Sequence, residues 1–162
     1  GKLFEQGKIF LPQLIQTAGV AQAAFEVIKT TLIERNAAPV SRGEIVLATV
    51  KGDIHDIGKN IVRVLLENYG YTVLDLGRDV PCQLVADTAK EHGVKLVGLS
   101  ALMTTTLGAM EETIQLVKQA CPDCKVVVGG AVLTADYAEK IGADFYAKDA
   151  METVAVAKEV VG

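Results

Sequence analysis

Residues that build most metal and disulfide sites are scarce in this chain: 162 residues include two histidines and three cysteines. An odd, small number of thiols, in a chain whose residues are 50% hydrophobic, fits a reducing cytoplasm better than a disulfide framework. Basic charge is not in excess either. Sixteen Lys and Arg stand against twenty Asp and Glu, a net charge of −4, and no basic run or basic helix face is visible. That removes the electrostatic reason to bind nucleic acid or an anionic membrane surface. No apolar stretch is long enough to span a bilayer, and the amino terminus lacks the charged start, apolar segment and small-residue cleavage site of a secretory signal. The chain opens on Gly1 and not on Met, so it is expected to be a piece of something longer. Its length suits one full domain with a smaller appendage.

From Glu44 onward, apolar strands and amphipathic helices alternate. The pattern predicts strands at Glu44–Val50, Thr72–Leu76, Leu96–Ser100, Lys125–Gly129 and Asp144–Ala147, and helices at Gly58–Tyr69, Pro81–His92, Thr106–Ala120, Thr134–Ile141 and Ala150–Val161. Five βα units imply a five-stranded parallel sheet, covered on both faces by right-handed crossovers, in a flavodoxin-like α/β order. Residues 1–41 differ in kind. Phe10, Leu11, Leu14, Ile15, Val20, Ala24, Phe25, Ile28 and Leu32 recur at mostly three- and four-residue intervals, so Pro12–Arg35 reads as one long helix. Asn36–Gly43 reads as a linker. A lone helix cannot bury its own apolar stripe. Residues 1–41 are therefore expected to be a truncated helical cap and linker before an α/β domain at 42–162, and the bare stripe is expected to pack on that domain or on a second copy in a homodimer.

Three loops at the carboxyl ends of strands carry the chemistry, at the edge where open α/β sheets bind ligands. The first reads Gly52-Asp-Ile-His-Asp-Ile-Gly58. An imidazole offers a neutral nitrogen to a metal, and a carboxylate on its other N–H fixes the tautomer; Asp53 is two residues from His55, on the same side of an extended loop. After the third strand comes Ser100-Ala-Leu-Met-Thr-Thr-Thr106, rich in hydroxyls, and after the fourth Gly129-Gly130, a wall without side chains. Taken singly, these are a loop histidine bonded to its neighbour, a helix cap and an ordinary strand-to-helix turn. Taken together they describe a slot for a large, partly planar metal cofactor with a buried arm.

Two further features invite chemistry and carry little. Cys121-Pro-Asp-Cys124 lies after a helix and before a strand, where the helix dipole disfavours a thiolate, and a structural zinc would want four ligands. His92, followed by Gly93, reads as the surface-exposed last turn of a helix.

The set Asp53-x-His55-x-x-Gly58, Ser100-x-Leu102 and Gly129-Gly130, at this separation, resembles the cobalamin-binding signature of corrinoid proteins across essentially the whole chain. The segment from Phe4 to Leu14 is similar to the end of the four-helix cap of cobalamin-dependent methionine synthase and its relatives, the corrinoid methyl carriers. That resemblance implies His55 as the lower axial ligand of cobalt, displacing the cofactor's own base, with Asp53 accepting the other imidazole proton and Thr106 in the place of a serine that continues the relay. It implies that Ser100 hydrogen-bonds the displaced base, that Leu102, Gly129 and Gly130 pack along it, and that Thr104 and Ala150 touch the corrin or its arm. Gly52, Ile54, Asp56 and Gly58 would shape the loop beneath the ring, and Phe4 and Leu11 would cover its methyl-bearing face.

The resulting expectation is a methyl carrier binding methylcobalamin, most like the cobalamin domain of methionine synthase. It would take a methyl from methyltetrahydrofolate to homocysteine, with substrate-binding methyltransferase domains or subunits as partners supplying catalysis. Alternatives are a stand-alone corrinoid protein for methanol, methylamine or methyl-ether methyltransferases, a mutase cobalamin domain, and a cobalamin-binding sensor. A hydrolase built on Asp53, His55 and a hydroxyl lacks a nucleophile elbow around Ser100.

Overall fold

The computed structural model describes residues 41–162 continuously and, before them, residues 2–5, 7–10, 12, 13, 16, 17, 19, 20, 23, 24 and 27. Strands β1 (Glu44–Thr49), β2 (Thr72–Asp75), β3 (Leu96–Ser100), β4 (Lys125–Gly129) and β5 (Phe145–Tyr146) alternate with helices α1 (Ile57–Asn68), α2 (Cys82–His92), α3 (Leu107–Ala120), α4 (Ala135–Lys140) and α5 (Ala150–Val160). The five strands form one sheet in the order β2-β1-β3-β4-β5, with every pairing parallel. This is the doubly wound architecture expected from the alternation, and its strand order reverses between β1 and β3, where a ligand crevice belongs.

Side chains along each strand divide between two cores by the two-residue period. Val46 and Ala48 of β1, Val97 and Leu99 of β3, and Val126 and Val128 of β4 pack with α2, α3 and α4. Ile45 and Leu47, Leu96 and Val127 face α1 and α5 instead. Both faces being covered explains why the central strands read as unbroken apolar runs and not as alternation. On the α1/α5 face, side chains shrink toward the carboxyl edge: Leu47 gives way to Thr49, Leu96 to Gly98 and Ser100, and Val127 to Gly129. A sheet that loses volume on one face while its helices stay in place opens a slot there.

Departures from the expected boundaries lie at element ends. Val50 leaves β1 and makes an isolated bridge to Val80, because the loop after β2 crosses to meet the loop after β1. β5 is two residues long; Asp144 and Ala147 still donate to Val126 and Val128 but fall outside the ladder. Thr106 closes a 3-10 turn, Thr104–Thr106, ahead of α3. His92 does end α2, at a left-handed Gly93 (φ +59), and it is tied across the sheet edge to Glu44 at 3.0 Å.

Lys2–Glu5 forms a short helical turn, and Pro12, Gln13, Gln16, Thr17, Gly19, Val20, Ala23, Ala24 and Val27 are helical. The remainder of the expected helix Pro12–Arg35, most of the linker Asn36–Gly43, and Leu11 lie outside the described residues. Among the described residues no helix is long and apolar enough to cross a membrane.

Candidate functional site

The loop after β1 turns on Gly52, whose φ of +84 is costly for any residue with a Cβ. Asp53 N–H then donates to the Val50 carbonyl at 3.0 Å, and this tight turn sends the Asp53 side chain inward, where it is fully buried. Five donors meet its two oxygens. Oδ2 accepts from the Leu102 N–H at 2.7 Å, the Met103 N–H at 3.2 Å and the Thr106 hydroxyl at 3.2 Å. Oδ1 accepts from the His55 N–H at 3.0 Å and lies 2.8 Å from His55 Nδ1.

Burial by itself pushes this carboxyl up, but the backbone N–H groups of His55 and Leu102, the His55 ring and the Met103 N–H outweigh it and hold it down at about 2. An ionised carboxylate only accepts, so His55 Nδ1 carries the proton and Nε2 presents a neutral lone pair. The ring is 47% exposed. Nε2 has no hydrogen-bond partner among the described residues, and the ring stands at the mouth of a large cavity. Thr106 is buried and shares its proton between Asp53 and the Met103 carbonyl, 2.9 Å away.

That cavity has a volume of about 1560 Å³, beyond the several hundred Å³ of most small-molecule sites. It runs from His55 inward between the sheet and α1 and α5, along Leu47, Gly98, Ser100, Val127 and Gly129 on one side and Val62, Leu65, Met151 and Thr153 on the other. Ser100 brings a hydroxyl to this wall, 3.0 Å from that of the buried Thr49, and Lys59, Arg78, Lys148, Asp149 and Glu152 also border the cavity. Gly98 leaves no room for a side chain: a Cβ there would come within 2.5 Å of Leu47 Cδ2. Gly130 (φ +140) lets the backbone pass Ala101, whose carbonyl oxygen would lie 1.8 Å from an added Cβ. A long slot floored by glycine, with hydroxyl-bearing Ser100 and Thr153 on its wall and an oriented imidazole at its mouth, fits a flat metal cofactor with an aromatic arm.

The structure brings most of the sequence-derived set together. Phe4, Ile54, His55, Asp56, Gly58, Ser100, Leu102, Gly129, Gly130 and Ala150 line the cavity. Asp53 and Thr106 stand behind His55 as its hydrogen-bonded support. Gly52 and Thr104 are not on the lining; Gly52 turns the loop and Thr104 opens the 3-10 turn. Gly98 and Lys59 were not singled out from the sequence. A glycine inside a strand is a signal of close approach, whereas nothing in the sequence marks Lys59, which is 3% exposed and paired to Asp75 at 2.5 Å. The cysteine pair stays apart from this site. Burial pushes the Cys124 thiol up to about 12, with the neighbouring Cys121 adding to the effect, and no cluster suited to a metal ion occurs among the described residues.

A family model described as "B12 binding domain" matches residues 43–155. Dimethylamine corrinoid protein 1 of Methanosarcina acetivorans is 46% identical over 99% of this chain and 76% of that protein. Trimethylamine corrinoid protein 1 of Methanosarcina mazei is 42% identical over 98% of this chain and 74% of that protein. Among solved structures, a novel cobalamin-binding protein from Desulfitobacterium hafniense superposes with a TM-score of 0.84 at 37% identity, covering 100% of this chain and 76% of that one. The methanol:cobalamin methyltransferase complex of Methanosarcina barkeri gives 0.86 at 32% identity, covering 99% and 61%.

Proposed function

We propose, for a chain that belongs to the family of B12-binding domains, that it is the corrinoid carrier of a methyltransferase system acting on a small methylated amine or alcohol. The cofactor is cobalamin, and the coarse function is that of a corrinoid-binding methyl carrier. The amine or alcohol source rests on relatives named for dimethylamine, trimethylamine and methanol. Methyltetrahydrofolate and homocysteine, expected from the likeness of the Phe4–Leu14 segment to the methionine synthase cap, find no support among these relatives, and the methionine synthase reading gives way to the stand-alone carrier.

The observation that carries the reading is the oriented imidazole at the mouth of the slot. Cobalamin, when bound, supplies a cobalt centre that accepts a methyl group from one partner and yields it to another. His55 would offer Nε2 as the lower ligand, and Asp53 would hold the Nδ1 proton that keeps that nitrogen basic. Thr106 and the Leu102 and Met103 N–H groups keep Asp53 ionised, so it remains an acceptor for the Nδ1 proton. The slot along Gly98, Ser100 and Gly129 would hold the displaced arm. Phe4 lies on the cavity wall, which supports reading residues 1–41 as part of a cap that shields the reacting face. Separate methyltransferase subunits would bind the methylated substrate.

The test is uptake of hydroxocobalamin by the wild-type chain and by His55→Gly. The wild type is expected to give a visible spectrum with protein-derived nitrogen on the metal, and the variant to lose it and bind more weakly. Identical spectra and affinities would reject the ligand role. For the substrate class, the reduced, loaded protein mixed with dimethylamine and a dimethylamine methyltransferase subunit should form monomethylamine. Methylation by methyltetrahydrofolate with its own methyltransferase and not by the amine system would reject it.

A further inference from the structure

Asp79, in the loop between β2 and α2, is the one non-glycine residue with a positive φ among those described, at +52. Left-handed backbone is unfavourable for a residue with a Cβ and is least so for Asn and Asp. Such a conformation persists only where surrounding contacts determine it. Two contacts do so, and both reach the loop that bears His55. The Asp79 carboxylate accepts from the Gly52 N–H at 2.7 Å, and the Asp79 N–H donates to the Asp53 carbonyl at 2.9 Å. On either side the two loops are zipped further: Thr49 N–H donates to the Gly77 carbonyl at 2.9 Å and Val80 N–H to the Thr49 carbonyl at 3.1 Å.

The Asp53–His55 pair is therefore gripped from two directions. The loop after β3 holds the Asp53 carboxylate through Leu102, Met103 and Thr106. The loop after β2 holds the backbone on which that carboxylate rides, through Asp79. We propose that Asp79 is a positioning residue for the metal-ligating histidine: by pinning Gly52 and Asp53 it fixes the turn that presents Asp53 Oδ1 to His55 Nδ1, and so sets how firmly Nε2 holds a corrinoid metal. Asp79 is absent from the cavity lining and acts only through the loop. Groups outside a metal ligand matter in this way because a first ligand must be held within a fraction of an ångström.

The inference rests on the reading of His55 as lower ligand, and the experiment separates the two. The probe is cobinamide, a corrinoid without the nucleotide arm, whose retention leans on the histidine and the ring contacts and not on the slot. Wild type, His55→Gly, Asp79→Gly and Asp79→Asn of the full chain are titrated with cobinamide and with cobalamin, following absorbance and the nitrogen splitting in the electron paramagnetic resonance of the Co(II) form. Asp79→Gly keeps the left-handed backbone and removes only the acceptor. It is expected to bind cobinamide about tenfold more weakly, the lower end of what outer partners of metal ligands are worth, and to show diminished nitrogen splitting, with cobalamin uptake much less affected. Asp79→Asn retains an oxygen acceptor and should restore wild-type behaviour to within about threefold, by the same scale.

If wild type and His55→Gly differ while Asp79→Gly matches wild type in affinity and splitting, the role of Asp79 is overturned and the ligand role of His55 stands. If Asp79→Gly loses both corrinoids together with the cooperative unfolding transition of the free protein, Asp79 is a general folding contact and the inference also falls. If wild type and His55→Gly do not differ, it is the ligand reading itself that fails.

Discussion

Replacing Asp53 with Asn changes one oxygen to an NH2 at nearly constant volume, and the surroundings dictate which way the amide must lie. Three donors, Leu102 N–H, Met103 N–H and the Thr106 hydroxyl, converge on Oδ2, so the amide oxygen takes that side. The NH2 then occupies the Oδ1 position, 3.0 Å from the His55 N–H nitrogen and 2.8 Å from Nδ1. It opposes one donor outright. It also turns Nδ1 into an acceptor, which moves the ring proton to Nε2 and removes the lone pair a metal would use. In energy, a carboxyl held at about 2 against an ordinary 3.8 contributes about 2 kcal/mol to folding at neutral pH. Because the folded value is depressed, that contribution is complete above the unfolded value and is lost as pH falls toward the folded one. The stability gap between wild type and Asp53→Asn, read from urea midpoints of the cofactor-free proteins, should therefore narrow by most of that amount between about pH 6 and about pH 2.5. Asp144, also held low against the push of its burial by the Val126 N–H and by Lys125 and Lys118, is common to both chains and cancels. A gap that stays constant over this range, or a variant that still shows protein nitrogen on the metal, would refute the reasoning.

Two glycine substitutions should fail in opposite ways. Gly98→Ala sets a methyl against Leu47 Cδ2, the movable end of a side chain that itself lines the cavity, so Leu47 swings into the slot. The protein should fold with a loss of about 1–2 kcal/mol and, because Leu47 then obstructs the slot, bind cobalamin at least about tenfold more weakly by absorbance titration, a separate binding loss of about 1.4 kcal/mol; wild-type affinity would count against the slot. Gly130→Ala places its methyl on the Ala101 carbonyl, which is backbone and cannot move aside, so it should lose about 3 kcal/mol or more, and a melting temperature near wild type would reject the contact. Lys59→Met leaves Asp75, among the described residues, with Arg63 and the Gly77 N–H and should cost about 1–2 kcal/mol, the loss of one charge-assisted hydrogen bond with the carboxylate still paired, with an unchanged urea midpoint as the contrary result.

The sheet was legible because its strands are covered on both faces, so each central strand prints a continuous apolar run between helices of period 3.6. The flavodoxin-like order, and a crevice where the loops after the first, third and fourth strands converge, follow once the units are counted. Legibility fell at β5, where Asp144 and Ala147 donate to β4 in strand-like fashion without extending the ladder. The imidazole and its carboxylate were legible because Asp53 and His55 are neighbours in sequence. What holds Asp53 was not: the Leu102 and Met103 N–H groups are backbone, and backbone donors exist at every residue except proline.

The Asp79 clamp was hidden, whereas the slot was not. Asp79 matters through a left-handed φ, which an aspartate adopts only when contacts from elsewhere compel it, so no local pattern announces it. The slot, by contrast, is written in the strands at a period of two. On the α2/α3/α4 face, β3 and β4 present Val97 and Leu99, Val126 and Val128, all buried. On the other face the same strands present Leu96, Gly98 and Ser100, Val127 and Gly129, with full-size side chains only at the end away from the ligand edge. A continuous core is thus kept on one side of the sheet while the other is thinned just where His55 stands. An α/β domain of this size accommodates a cavity of about 1560 Å³ because the missing volume is confined to half of one face, and filling that half at Gly98 should close the slot while the fold persists.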